Sequence, residues 1–136
     1  VDMNKRKVNQ LAFEIISAAI KVHNALGPGL LESVYEKCMI HELGNRGHKI
    51  KSQLTIPIHY DGLELDADLR LDILVDDLIV VEIKAVQDIH PIHQAQVLSY
   101  MKLLKLPKGI LINFHTTKIV DDAEHFVNQI FKELPA

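Results

Sequence analysis

From Leu63 to Val75 every odd position is apolar (Leu63, Leu65, Ala67, Leu69, Leu71, Ile73, Val75), while Glu64, Asp66, Asp68, Arg70 and Asp72 fill the even positions from 64 to 72. A strict period of two is the mark of a strand with one buried and one polar face. The pattern resumes after a short interruption, with Ile79, Val81, Ile83 and Ala85 on one side and Glu82 and Lys84 on the other. Two such strands in succession imply an antiparallel hairpin, and a slip of one residue would turn every side chain to the opposite face. If Val75 opposes Ile79 across the connection Asp76-Asp77-Leu78, Asp72 falls opposite Glu82 and the two carboxylates share a face. A two-residue turn at Asp76-Asp77 would instead set Asp72 against Val81 and separate the acids. A three-residue hairpin usually ends in a left-handed residue, a conformation Leu78 resists, and a wider loop from Val75 to Ile79 keeps the same parity. We therefore expect both acids on one face, with the loop length open.

The flanking segments fill in the architecture. Leu11, Ile15, Ala18, Ala19, Val22 and Leu26 recur at helical spacing, Gly27-Pro28-Gly29 breaks the chain, and a second helical pattern follows from about Leu31 to Leu43. Gly44-Asn45-Arg46-Gly47 ends it. Leu54, Ile56 and Ile58 suggest a strand, which Pro57 assigns to an edge or a bulge, and Asp61-Gly62 is a hairpin signal. His90-Pro91 opens a helix reaching about Leu104, stopped by Pro107-Lys108-Gly109, and Gly109 to Phe114 reads as a strand buried on both faces. A last helix is expected after Asp121 or Asp122, with a stripe of Ala123, Phe126, Val127, Ile130, Phe131 and Leu134. A strand–helix–strand crossover makes the third and fourth strands parallel. The predicted fold class is α/β: a mixed four-stranded sheet flanked by helices, in one domain spanning residues 1–136.

Composition narrows the setting. The 136 residues are 48% hydrophobic and 24% charged, as in ordinary globular proteins. No run approaches the about 18 apolar residues that a membrane span requires. Lys5-Arg6-Lys7 precedes an apolar stretch, but Glu14 and Lys21 interrupt it and a signal peptide is not expected. The single cysteine, Cys38, excludes an internal disulfide framework and suits a cytoplasmic location. The formal net charge of −3 does not draw the protein toward nucleic acid; local basic residues such as Lys102, Lys105 and Lys108, or a homo-oligomer, would have to do so.

Two acids and an amine on rigid sheet are the chemically loaded feature. Carboxylates that close repel one another unless a cation lies between them, and Mg²⁺ accepts a few oxygen ligands completed by water and phosphate. A structural reading stands beside this one: Glu82 and Lys84 as a solvated strand face, with Asp72 ion-paired to Arg70 or Lys84. Tyr35 reads as packing, Gly29 as a backbone device, and Cys38 as core. Gln96 and Tyr100 fit either a mutual hydrogen bond or a substrate-binding face. His90 and His93 lack a third ligand for zinc.

Gly29-x-x-Glu32-x-x-Tyr35 opens the second helix. Together with Arg70-x-Asp72, Val81-Glu82-Ile83-Lys84-Ala85 and His93-Gln94-Ala95-Gln96 leading to Tyr100, it resembles the GxxExxY proteins of the PD-(D/E)XK nuclease superfamily. The resemblance runs from about Leu11 to Phe114 in the right order. It implies the restriction-endonuclease-like αβββαβ core, with Asp72, Glu82 and the backbone carbonyl of Ile83 as ligands of Mg²⁺ (or Mn²⁺ as a substitute). It implies Lys84 as the catalytic lysine and Glu32 as an acidic residue acting on the metal directly or through water. Gln96 and Tyr100 match a Q-x-x-x-Y motif, with His93 one turn earlier on the face that borders the active site.

Three functions compete. The leading one is a Mg²⁺-dependent nuclease that cuts DNA by metal-activated water attack. A non-catalytic nucleic-acid- or protein-binding module on the same fold would explain the acidic Glu64, Asp66 and Asp68 on the site's strand face. A phosphoesterase acting on short oligonucleotides would tolerate the acidic balance better than a nuclease of long duplex.

Overall fold

The computed structural model describes residues 3–136, apart from the side chains of residues 66–68. Helices α1 (Lys5–Leu26) and α2 (Glu32–Asn45) come first, followed by strands β1 (Ile50–Tyr60), β2 (Leu63–Val75) and β3 (Ile79–Lys84). Helix α3 (Pro91–Leu104) leads to strand β4 (Lys108–Asn113), and the chain closes with α4 (Ile119–Asp122), β5 (Glu124–Val127) and α5 (Gln129–Lys132). The strands form one mixed sheet in the order β1-β2-β3-β4-β5. Strand β4 runs parallel to β3, and the other neighbours are antiparallel. The expected core is present, with five strands instead of four. No helix among the described residues is long and apolar enough to cross a membrane.

The fifth strand replaces the expected last helix. Asn128 donates its Nδ2 proton to the Leu106 carbonyl at 2.7 Å and accepts from the Phe131 N–H at 3.2 Å. Those two bonds cap α5 and tie the preceding segment to the loop before β4, so the apolar stripe is divided between β5 (Phe126, Val127) and the one-turn α5 (Ile130, Phe131), with Ala123 and Leu134 outside both.

The sheet carries a core on each face. Ile73, Val75, Ile79, Val81, Ile83, Ile110 and Ile112 pack under α1 and α2 with Tyr35 and Phe114. Leu71, Leu74, Val80 and Leu111 pack under α3 with Val97, Tyr100 and Met101. Helix α3 lies directly on β4: a Cβ on Gly109 would come within 2.5 Å of Val97 Cγ1 and 2.8 Å of Met101 Sδ.

Covering both faces changes the reading of β2. Leu69 and Leu71 belong to the α3 side, whereas Ile73 and Val75 belong to the α1–α2 side, so this strand does not keep one apolar face. It turns over at Asp72. Strand β1 turns over beside it, with Ile50 on one side and Leu54 and Ile56 on the other. Gln53, between them, takes φ 49, inside a strand. A left-handed non-glycine residue there costs about 1–3 kcal/mol. Because both strands turn together, the pairing continues in one register from Ile50↔Val75 to Ile56↔Leu69. Pro57 then marks a register shift, and the β1–β2 turn uses Asp61 at φ 49 and Gly62 at φ 77.

Candidate active site

Val75 opposes Ile79, Leu74 opposes Val80 and Ile73 opposes Val81, the register in which Asp72 follows opposite Glu82. The connection is the short one, Asp76-Asp77-Leu78. Its left-handed residues are Asp76 at φ 52 and Asp77 at φ 54, so the strain expected at Leu78 falls on two side chains that tolerate it.

The β2–β3 ladder stops at Ile73↔Val81 and two carboxylates take over its hydrogen bonds. The Asp72 N–H donates to Glu82 Oε1 at 2.9 Å, and the Ile83 N–H donates to Asp72 Oδ2 at 2.8 Å. Each acid thus accepts a main-chain proton from the other's strand, which ties one oxygen of each carboxylate to the sheet. A hydrogen bond to a charged acceptor is worth about 1.5–3 kcal/mol, which offsets part of the cost of burying the acids. Glu82 is only 3% exposed. Burial, followed by the negative charge of Asp72, pushes its carboxyl up to about 8, against the weaker pull of Lys84. The solvated-face reading of Glu82 is therefore corrected: α3 covers that side of the sheet.

Lys84 is half-buried at the end of β3. The ion pairs among the described residues lie elsewhere and do not include Lys84, Asp72 or Arg70. Its backbone is held firmly. The Lys84 carbonyl accepts from the Phe114 N–H at 2.8 Å. The buried Asn113, opposite Lys84 in β4, donates to the Val86 carbonyl at 2.8 Å and accepts the Val86 N–H at 3.1 Å. Asn113 prolongs the parallel pairing past the strand end with its own amide.

Helix α2 contributes acids from the opposite side. Its first residue, Glu32, is exposed. The Tyr35 hydroxyl donates to the Gly27 carbonyl at 2.5 Å and accepts the Leu30 N–H at 3.1 Å, while its ring stacks on Phe114 with centroids 4.4 Å apart. Gly29 takes φ 97 in the same turn. Tyr35 and Gly29 thus shape the turn that enters α2, in line with their packing and backbone readings. Glu36, which sequence reasoning passed over, sits one turn after Glu32 and is half-buried. Both its oxygens accept from Gln53 Nε2 at 2.9 Å, and the same amide lies 3.4 Å from Asp72 Oδ1. Burial raises the Glu36 carboxyl above its ordinary range; the Gln53 bond opposes this, and the charges of Asp72 and Glu32 add to it. The available signal was a like-charged pair, Glu32 and Glu36, at a helical spacing where repulsion destabilises a helix.

Helix α3 supplies the third wall. The Tyr100 hydroxyl donates to the Arg70 carbonyl at 3.1 Å, so its partner is the bend of β2, not the half-buried Gln96. Burial raises the Tyr100 hydroxyl, with smaller contributions from Glu82 and Asp72. His93 Nδ1 accepts the His90 N–H at 3.2 Å across the start of the helix. Burial, then the charges of Lys84 and His90, hold His93 below its usual range, and Glu32 opposes them. Gln94 turns away and donates to Glu124 at 2.6 Å, tying α3 to β5.

Of the basic residues expected to form a patch, Lys102 and Lys105 are exposed, but Lys108 is 7% exposed within β4 and burial lowers its amine. Of the strand-face acids, Glu64 is exposed, and the side chains of Asp66 and Asp68 lie outside the described residues.

No three His, Cys, Asp or Glu side chains converge as a ligand set among the described residues. The donor set is two carboxylates that accept main-chain N–H groups, in a place where burial and their like charges raise the Glu82 carboxyl. Oxygen donors and that repulsion suit a hard divalent cation, which keeps most of its water. A family model for the PD-(D/E)XK nuclease superfamily matches residues 9–126, which include every residue of the site. No curated protein and no solved structure gives a significant match.

Proposed function

The chain belongs to the PD-(D/E)XK nuclease superfamily, and from that premise we propose that it is a Mg²⁺-dependent nuclease of the GxxExxY type, hydrolysing phosphodiester bonds in DNA. The observation that carries the reading is the Asp72–Glu82 pair, joined through main-chain N–H groups, with Asp72 half-buried and Glu82 buried and pushed up to about 8. Acids assembled at that electrostatic cost call for a counter-charge.

Asp72 and Glu82 would hold Mg²⁺, or Mn²⁺ in its place, with the Ile83 carbonyl completing the protein's share. A bound divalent ion polarises a phosphodiester and lowers the pKa of an attacking water. Lys84, in no ion pair among the described residues, could orient that water and balance charge on the phosphorus. Glu32 borders the site at the start of α2 and can hold a water of the ion's shell. His93 offers Nε2 to substrate, since Nδ1 is occupied by the His90 N–H. Gln96 and Tyr100 line the α3 wall where a strand of nucleic acid would pass.

The acidic balance and the burial of Lys108 favour a second reading, a phosphoesterase of short oligonucleotides, because few cations remain to grip a long backbone. One titration separates the readings: cleavage of long duplex, single strand and short oligonucleotides with Mg²⁺, beside thermal unfolding with and without the ion. An ion bound only by the folded state adds about 2.7 kcal/mol of stability at 100 times Kd. We expect that gain in the wild type and its loss in Asp72→Asn/Glu82→Gln. An equal gain in the double variant would place the ion elsewhere, and metal binding without cleavage of any substrate would leave the binding module.

A further inference from the structure

Gln53 holds an unfavourable backbone conformation at the position that faces Asp72. It lies between Ser52, which pairs with Ile73, and Leu54, which pairs with Leu71. The other non-glycine residues with positive φ (Asp61, Asp76, Asp77 and Lys105) sit in turns or at a helix end. Gln53 alone among them is inside a strand. Its side chain uses that conformation to reach α2, where Nε2 donates to both Glu36 oxygens at 2.9 Å, and to reach β2, where it lies 3.4 Å from Asp72 Oδ1. The second Asp72 oxygen is engaged by the Ile83 N–H at 2.8 Å.

We propose that Gln53 is a positioning residue: anchored on Glu36, its amide sets the rotation of the Asp72 carboxylate. A carboxylate held at one oxygen by a main-chain N–H can still swing at the other. The amide removes that freedom, while the Glu36 anchor prevents Gln53 from following. The strand turnover at Gln53 and Asp72 is then the device that brings amide and carboxylate together, and Glu36 is the far end of the arrangement. The inference rests on the reading of Asp72 as a metal ligand for its catalytic meaning, but the orientation of Asp72 can be measured without metal.

Gln53→Gly removes the amide and accommodates the left-handed backbone, and Glu36→Ala removes the anchor and leaves Gln53 in place. The first readout is hydrogen exchange of the Ile83 amide in metal-free protein, since that N–H reports whether Asp72 is held. Exchange about tenfold faster or more is expected in both variants, with Val80 and Val81 unchanged. The second is the Mg²⁺ concentration that half-saturates the thermal shift, expected to rise about 10–100-fold, as for lost support of a metal ligand. Unaltered Ile83 exchange, or an acceleration shared equally by Val80 and Val81, overturns the assignment. A wild type that takes up no Mg²⁺ defeats the metal reading alone, and Ile83 exchange still decides the role of Gln53.

Discussion

Strands β2 and β3 carry acids at both ends, and the two ends treat them in opposite ways. At the loop, Asp76 Oδ2 lies 2.7 Å from His48 Nδ1, whose other ring nitrogen lies 3.2 Å from Glu14. Asp77 meets Lys49 and Lys51 at 2.9 Å each. About four residues along the strands, ~13 Å at the rise of a strand, Asp72 and Glu82 accept main-chain and amide protons and form no ion pair among the described residues. The loop end pairs its acids with lysines and an imidazole, and the other end ties its acids to the main chain without an ion pair among the described residues. Acids that merely stabilise a hairpin have the first arrangement. Acids that hold a cation, as proposed for Asp72 and Glu82, would need the second.

The largest test of this contrast is chemical. Lys84→Ala is expected to lower cleavage at least about 10²-fold, close to 2.7 kcal/mol of transition-state stabilisation. Folding should change little, because the side chain is half-buried and in no ion pair among the described residues. Cleavage that survives Lys84→Ala would falsify the catalytic assignment and leave the acids as the whole of the site.

The same hairpin shows how far residues alone carried the argument. The register was legible because apolar Val75, Ile79 and Val81 had to share one face, and parity then fixed Asp72 opposite Glu82. The turnover at Asp72 was not, because both faces of the sheet are covered and apolar residues are wanted on either side of the bend. Leu74, apolar at an even position, was its one trace. Glu36 escaped because its significance depends on Gln53, distant in sequence and placed by a backbone conformation no composition reveals. The last helix failed for a tertiary reason: Asn128 bonds to Leu106 and Gln94 to Glu124, and those ties outweigh a helical stripe.

The next effect is in stability against pH, measured by urea unfolding in the absence of metal. Glu82 has its carboxyl raised from 4.5 to about 8, so between those values the folded chain holds a proton that the unfolded chain has lost. Its contribution is fully present below about 4.5 and is lost as pH rises through about 8. Glu36, raised by burial, pulls in the same direction. Relative to Glu82→Gln, which does not titrate, the wild type should lose stability progressively between pH 5 and pH 9. Saturating Mg²⁺ should abolish the difference. A flat comparison would mean that Glu82 is compensated already and the two ends of the hairpin are alike.

The smallest effect comes from the loop end and has the opposite sign with pH. Asparagine tolerates the left-handed backbone of Asp77, so Asp77→Asn removes charge and leaves the turn intact. The bonds and charges of Lys49 and Lys51 hold the Asp77 carboxyl below its ordinary 3.8. Its contribution is therefore present above about 3.8 and disappears as pH falls through the lowered value. The lysines are well exposed, so solvent and salt screen the pairs and the loss at pH 7 should stay under about 1 kcal/mol. Raising the salt should shrink it further, and Mg²⁺ should leave it untouched. If Asp77→Asn instead abolished the Mg²⁺-dependent gain in stability, the loop acids would belong to the ion's site and the separation of roles along the hairpin would collapse.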